Sequence, residues 1–247
     1  MSVGANVRAL LTATRMFLVE GNRDIGIVLG FTVLFPIGIL FFLNELVAPG
    51  LRIQVLVGVI MLEMGLLNIN GLAQTMGVDK QSKMFDLWVS LPVSPVVYTF
   101  SNALALLPYS LLSAVVTLGV AIAAFGVALP WSTLPLLLGG LVLVWASTLG
   151  IGFVIGAYGR SPRQINMWAQ VIGILLTFFA PVFYPLSVLP VPLQYVAAAW
   201  PLTWGTEFLN GILRGTATTV VGAGAVLAGF VVLWFTLIGM GVRWRAK

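Results

Sequence analysis

Several apolar runs, each as long as the roughly 20-residue helix needed to cross a bilayer, divide this chain and leave little room for any soluble fold. The run from Leu134 to Ala157 carries no charged side chain. Of the 247 residues, 60% are hydrophobic and 8% charged, whereas a soluble domain carries about a quarter charged residues. The period-2 alternation of a membrane barrel is absent, so the spans are helices. The expected fold is all-α and integral to the membrane, a single domain over residues 1–247.

Six spans are expected, at about 25–43, 53–75, 96–125, 134–157, 165–183 and 220–241. The third is long enough to tilt or to begin in the interface. Ahead of them, residues 1–24 do not have the pattern of a cleaved signal peptide. Val7, Leu10, Leu11, Thr14, Phe17 and Leu18 recur at helical spacing, with Arg8, Thr12 and Arg15 opposite. Two readings fit: an amphipathic helix in the membrane surface, or an extension of the first span.

The basic residues orient the chain. With the N-terminus in the cytoplasm, Arg8, Arg15, Arg23, Lys80, Lys83, Arg160, Arg163, Arg243, Arg245 and Lys247 all fall inside. Only Arg52 and Arg214 fall outside, so ten of the twelve basic residues obey the positive-inside rule. Five or seven spans would scatter them over both sides. The expected location is the cytoplasmic (inner) membrane, multi-pass, with both termini cytoplasmic. The net charge of +5 is thereby assigned to topology rather than to nucleic acid.

The chain contains no cysteine and no histidine. That removes disulfides, thiolate chemistry, His-metal sites and any Ser-His or Cys-His nucleophile pair. No catalytic residue, metal site or cofactor is expected in this chain.

Two connections are unusual. Between the second and third spans lies "TMGVDKQSKMFDLWVSLPVSP", Thr75 to Pro95. Asp79 can cap a helix starting at Lys80, with Met84, Leu87, Trp88 and Leu91 at i, i+3, i+4 and i+7 and Lys80, Lys83, Asp86 and Ser90 on the other positions. Pro92 stops it. A short amphipathic helix over 79–91 on the cytoplasmic face fits, and so does a polar loop with an interfacial Trp. Between the fifth and sixth spans, residues 184–215 are too apolar for an ordinary loop, and Pro185, Pro190, Pro192 and Pro201 break them repeatedly. Short re-entrant or interfacial helices at the outer surface are expected there.

An ionisable group in a span is a functional hypothesis by default. Glu63 lies near the middle of the second span. Asn70 and Gln74 fall within about 20° of it at 100° per residue. In the fifth span Asn166, Gln170 and Thr177 form a similar stripe. Both polar glue between packed helices and the lining of a transport path fit the amides; Glu63 reads as a cavity-facing or paired group. Glu207 and Arg214, at i and i+7, are expected to brace the outer element.

The Thr75–Pro95 stretch resembles the cytoplasmic coupling region of ABC transporter permeases of the second exporter family, which share the type V exporter fold. The resemblance rests on Asp79-Lys80, Phe85-Asp86 and Pro92-Val93-Ser94; Lys83 and Met84 stand where that pattern has Gly-Thr, and Leu91 where it has Ser. The outer region resembles the same family's C-terminal signature through Leu189-Pro190, Pro201-Leu202-Thr203, Glu207 and Arg214, with Trp200 in place of Asn. The resemblance implies a permease that pairs with a second copy, most simply as a homodimer, and with two copies of a separate ABC ATPase. This chain has no G-x-x-x-x-G-K-[ST] loop, so ATP and Mg²⁺ would be bound by that partner. The resemblance further implies that Asp79, Lys80, Lys83, Phe85, Asp86, Leu87 and Trp88 couple to the ATPase. Glu63, Asn70, Gln74, Asn166, Gln170 and Thr177 would line the path, and Pro201, Glu207 and Arg214 would form an outer gate.

The function expected is ATP-driven export of a hydrophobic or amphiphilic molecule, drug-like or lipid, by alternating access. A lipid-linked glycan is the alternative substrate. An ion-coupled carrier is a different class that would need more than the single deep acid Glu63. An intramembrane enzyme would need paired carboxylates or a His or Cys that the chain lacks.

Overall fold

The computed structural model describes residues 3–21, 26, 29–46, 49–91, 93–127 and 129–240, and no strand occurs among them. Helix α1 (Val3–Gly21) is followed by a π-helical turn (Gly30–Leu34) leading into α2 (Phe35–Leu46). Next come α3 (Arg52–Gln81), the short α4 (Met84–Ser90), α5 (Pro95–Phe125) and α6 (Leu134–Tyr158). The chain continues through α7 (Pro162–Phe179), α8 (Val191–Ala198), α9 (Pro201–Arg214) and α10 (Ala217–Gly239).

Local sequence fixes these boundaries. Ser94 caps α5 by accepting from the Val97 N–H, with Pro95 in the first turn. Ser161 caps α7 by accepting from Gln164 N–H, while Gln164 Oε1 accepts from Arg160 N–H at 3.0 Å, a reciprocal box of the kind that satisfies orphan donors. Helix α9 starts at Pro201 and ends at Gly215, whose φ of 72° only glycine adopts without strain.

Four helical segments are long and apolar enough to cross a membrane: Arg52–Gln81, Pro95–Phe125, Trp131–Tyr158 and Ala217–Gly239. They coincide with the second, third, fourth and sixth expected spans. The first is represented by the shorter apolar stretch Thr32–Leu43, and residues 22–25, 27 and 28 lie outside the described residues. The fifth forms α7, which ends at Phe179 rather than 183 and is not among the four. Arg163, Gln164, Asn166 and Gln170 dilute its otherwise apolar sequence.

Helix α3 is the hub. It packs against α2, α5, α6, α7 and α9, and 72% of its most apolar window is buried, against 17% for α10. Its neighbours approach closely. A Cβ on Gly152 of α6 would lie 2.8 Å from the Ile69 carbonyl oxygen and 3.1 Å from that of Asn68. Both are backbone atoms and cannot rotate away. Polar contacts cross the same core: Asn68 Nδ2 donates to Thr148 Oγ1 at 2.8 Å, and Ser110 Oγ donates to Asn68 Oδ1 at 3.0 Å, joining α3, α5 and α6. Helix α1 lies along α5, with Ala13 and Phe17 buried and Arg8 and Arg15 exposed.

Gly152→Ala is expected to destabilise the fold by about 1–3 kcal/mol through overpacking. Gly139→Ala on the same helix, where a Cβ meets nothing within 4 Å, should leave the thermal midpoint of the detergent-purified protein unchanged or slightly raised. Equal midpoints for the two variants would contradict the close α3–α6 packing.

Candidate functional site: a braced surface helix and a polar seam

The end of the bundle that carries α4 is built around the last turn of α3. The expected helix over 79–91 is corrected by the structure. Helix α3 runs on through Asp79 and Lys80 to Gln81, and only Met84–Ser90 forms the separate short helix. Asp79 therefore does not cap it. Its side chain is buried and accepts a 2.6 Å hydrogen bond from the Tyr98 hydroxyl of α5. The apolar stem of α3 continues into this segment because Met76 and Gly77 are still packed against α6 and α7.

Lys80 turns inward rather than toward solvent. Its Nζ donates to the carbonyls of Gly156 (2.7 Å), Ala157 (3.0 Å) and Gly159 (2.9 Å). These belong to the C-terminus of α6 and the turn after it, where carbonyls lack intrahelical partners and the helix dipole favours a cation. All three ammonium protons are thus used. The same Nζ lies 5.5 Å from the centroid of the Phe85 ring.

Helix α4 is seated by aromatic contacts. Trp88 is buried, stacks on Phe17 of α1 at 5.8 Å, and meets Tyr98 edge-on at 5.6 Å. Phe85 meets Tyr98 edge-on at 6.0 Å. The buried face is therefore Phe85, Trp88 and Val89, not the Met84, Leu87, Trp88, Leu91 face that spacing suggested. Lys83, Asp86, Leu87, Ser90 and Leu91 form the exposed face, and Leu87 is 50% exposed. The reason is the start point: a helix that begins at Met84 in a new direction takes its facing from the turn at Ser82 and Lys83, not from α3. Lys83 has φ 61°, the one positive φ of a non-glycine residue among the described residues. It occupies the position where the resembled pattern has glycine, which adopts that backbone freely.

The polar stripes of α3 and α7 meet. Gln74 Nε2 donates to Asn166 Oδ1 at 3.1 Å. One turn and more along, Asn70 lies over Gly173, and its Oδ1 has no partner among the described residues. Gly58 faces Phe183, so the two segments run antiparallel and residue 63 stands level with the last turn of α7, which includes Thr177. The Thr177 side chain lies outside the described residues. Glu63 is 3% exposed, and its Oε2 has no hydrogen-bond partner among the described residues. Gln170 is exposed, beside the exposed apolar residues Met167, Trp168, Val171 and Ile174 of the same helix.

At the far end, Pro201 is buried in the first turn of α9. Glu207 and Arg214 are not brought together: no ion pair joins them, because two helical turns separate them by about 10 Å along the axis. A pair that sequence reasoning missed does lie here. Asn210 Nδ2 donates to Gln54 Oε1 at 2.8 Å, and Gln54 Nε2 donates to the Val182 carbonyl at 3.0 Å. It ties α9, α3 and the segment after α7 into one buried network.

Three variants test the braced end. Lys80→Met keeps the stem and removes the ammonium, and is expected to cost about 2 kcal/mol; Tyr98→Phe should cost about 1–3 kcal/mol by stripping a hydrogen bond from a buried carboxylate. Lys83→Gly should instead stabilise by about 1 kcal/mol by relieving the left-handed backbone. Thermal unfolding of purified protein checks all three, and a Lys83→Gly variant less stable than the parent would contradict the turn geometry.

A search of curated proteins gives no match to this sequence. The family model described as ABC-2 type transporter matches residues 21–213, a range that holds α2 to α9, the braced surface helix and the polar seam. The chain belongs to the ABC-2 type transporter family, whose members are the membrane-spanning permease components of ABC transporters.

Proposed function

We propose that this permease is an exporter subunit that works as a pair of identical copies with two ABC ATPase chains. The observation that carries the proposal is helix α4. It is tied to α1 through Phe17–Trp88, to α5 through the Tyr98 ring, and to the adjoining turn of α3. Its other face presents Lys83, Asp86 and Leu87 outward, two opposite charges beside an apolar side chain. Such a face suits a groove on a soluble partner, and the ties pass any displacement of α4 into several spans at once. Lys80 and Asp79 act here as braces, with Phe85 and Trp88 as the seat. ATP and its Mg²⁺ bind the partner.

In this reading residues 25–43 and α7 also cross the bilayer, giving six spans, with α4 and both termini in the cytoplasm of a cell whose inner membrane holds the complex. The seam of α3 and α7 lines the path: Glu63, Asn70, Gln74, Asn166, Gln170 and Thr177. Residues 184–215 dip into the outer leaflet as a gate around Pro201, Glu207 and Arg214. The seam is bordered by exposed apolar side chains of α7, which favours an amphiphilic cargo, drug-like or lipid, over a glycan.

Two experiments test this. The Lys83→Glu, Asp86→Lys double variant should fold as the parent and lose at least tenfold of its co-purification with the partner ATPase, or leave hydrolysis running without export. Full retention of both binding and coupling removes α4 from the interface. Glu63→Gln should change export or substrate-stimulated ATP hydrolysis severalfold; if both stay at parental values, the α3–α7 seam is not the path.

A further inference from the structure

Away from the α3–α7 seam, a cavity of about 470 Å³ opens at the far end of the bundle, between the Leu186–Val188 turn, α8, α9 and α10. Glu207 and Trp204 of α9, Gln194 of α8, Ser187 and Thr219 of α10 line it. It is a cleft open to the surroundings rather than an enclosed pocket.

The wall has a one-sided chemistry. Glu207 is its single charged residue, and no lysine or arginine lines it. Among the described residues Glu207 makes no ion pair, and Arg214, exposed at the end of α9, does not line the cleft. Gln194 spends its Nε2 on the Leu189 carbonyl at 2.8 Å, which leaves its side-chain oxygen as an acceptor. Trp204 donates its indole N–H to the Ala198 carbonyl at 2.8 Å, so the ring is held in place. A carboxylate, a free amide oxygen and a fixed indole, with no competing cation, make an environment for a positively charged nitrogen. The apolar part of the lining is Leu186 and Ala223.

We propose that this cleft binds the ammonium head of an amphiphile, with Glu207 as its counter-ion and the start of the tail against Leu186 and Ala223. The site is separate from the α3–α7 seam and does not depend on that seam being the path. The same head chemistry has two sources, an amine-headed phospholipid or a free amphiphilic amine.

The test uses the full chain, purified in an uncharged maltoside detergent. Radiolabelled dodecyltrimethylammonium is the free probe, and native mass spectrometry of retained phosphatidylethanolamine against phosphatidylglycerol reports the lipid source. Wild-type protein should bind the ammonium probe saturably, and dodecyl sulfate should not displace it. Glu207→Gln should weaken binding at least tenfold, while Glu207→Asp, which keeps the charge, should stay within about threefold. Gly222→Phe should abolish binding by filling the cavity, since a Cβ there meets nothing within 4 Å; thermal midpoints confirm that each variant folds, and Gly222→Phe carries the test alone should Glu207→Gln fail to purify. Loss of phosphatidylethanolamine in Glu207→Gln and Gly222→Phe assigns the site to a lipid head, and loss of the free probe alone assigns it to a free amine. Undiminished binding in either of those variants, equal binding of dodecyl sulfate, or no retention of either ammonium species overturns the proposal.

Discussion

One ammonium group holds the α4 end of this protein together. Lys80 sits in the last turn of the hub helix α3 and places its charge on three carbonyls at the end of α6 and in the turn leading to α7. A cation drawn partly out of water is costly unless it is hydrogen-bonded, and here each proton of the half-buried ammonium has an acceptor. The arrangement closes the orphan carbonyls of one helix with the side chain of another. It makes the end of α3, the end of α6 and the α6–α7 turn a single piece. Asp79 extends that piece to α5 through Tyr98, and Trp88 extends it to α1. The short helix α4 therefore rests on a platform drawn from most of the bundle.

Buried amides also tie helices together elsewhere in the core. Asn68 satisfies Ser110 and Thr148 where α3, α5 and α6 cross. Gln54 and Asn210 do so at the opposite end, and they also hold the segment after α7 through the Val182 carbonyl. Oxygens of Glu63, Asn70 and Asn210 are among the buried side-chain atoms without a partner among the described residues.

Much of this was legible in the sequence. Apolar runs marked the long helices, and one member of each polar stripe, Gln74 and Asn166, is hydrogen-bonded to the other. What escaped is tertiary. Asn68 and Gln54 were visible as polar residues in a span, but periodicity cannot say which neighbour each face meets. Asp79 looked like a cap because it precedes a helix-forming stretch, whereas packing of Met76 and Gly77 carries α3 a turn and more beyond the expected end at Thr75. Lys80 looked like an outward charge because its partners are backbone carbonyls some 76 residues away, and carbonyls leave no trace in side-chain patterns. The facing of α4 depends on a left-handed turn at Lys83, a residue type that rarely adopts it.

The central claim is that α4 and the α6–α7 turn move as one body, locked through Lys80. The chain has no cysteine, so two spin labels can be introduced cleanly at Ser90→Cys on α4 and Arg160→Cys in the turn, both exposed positions. Pulsed electron resonance on the complex with its ATPase, with and without bound ATP, then reads their separation. The account predicts one narrow distance distribution, unchanged between the two states and broadened by Lys80→Met. A separation that shifts on ATP binding while Lys80 is intact would contradict it.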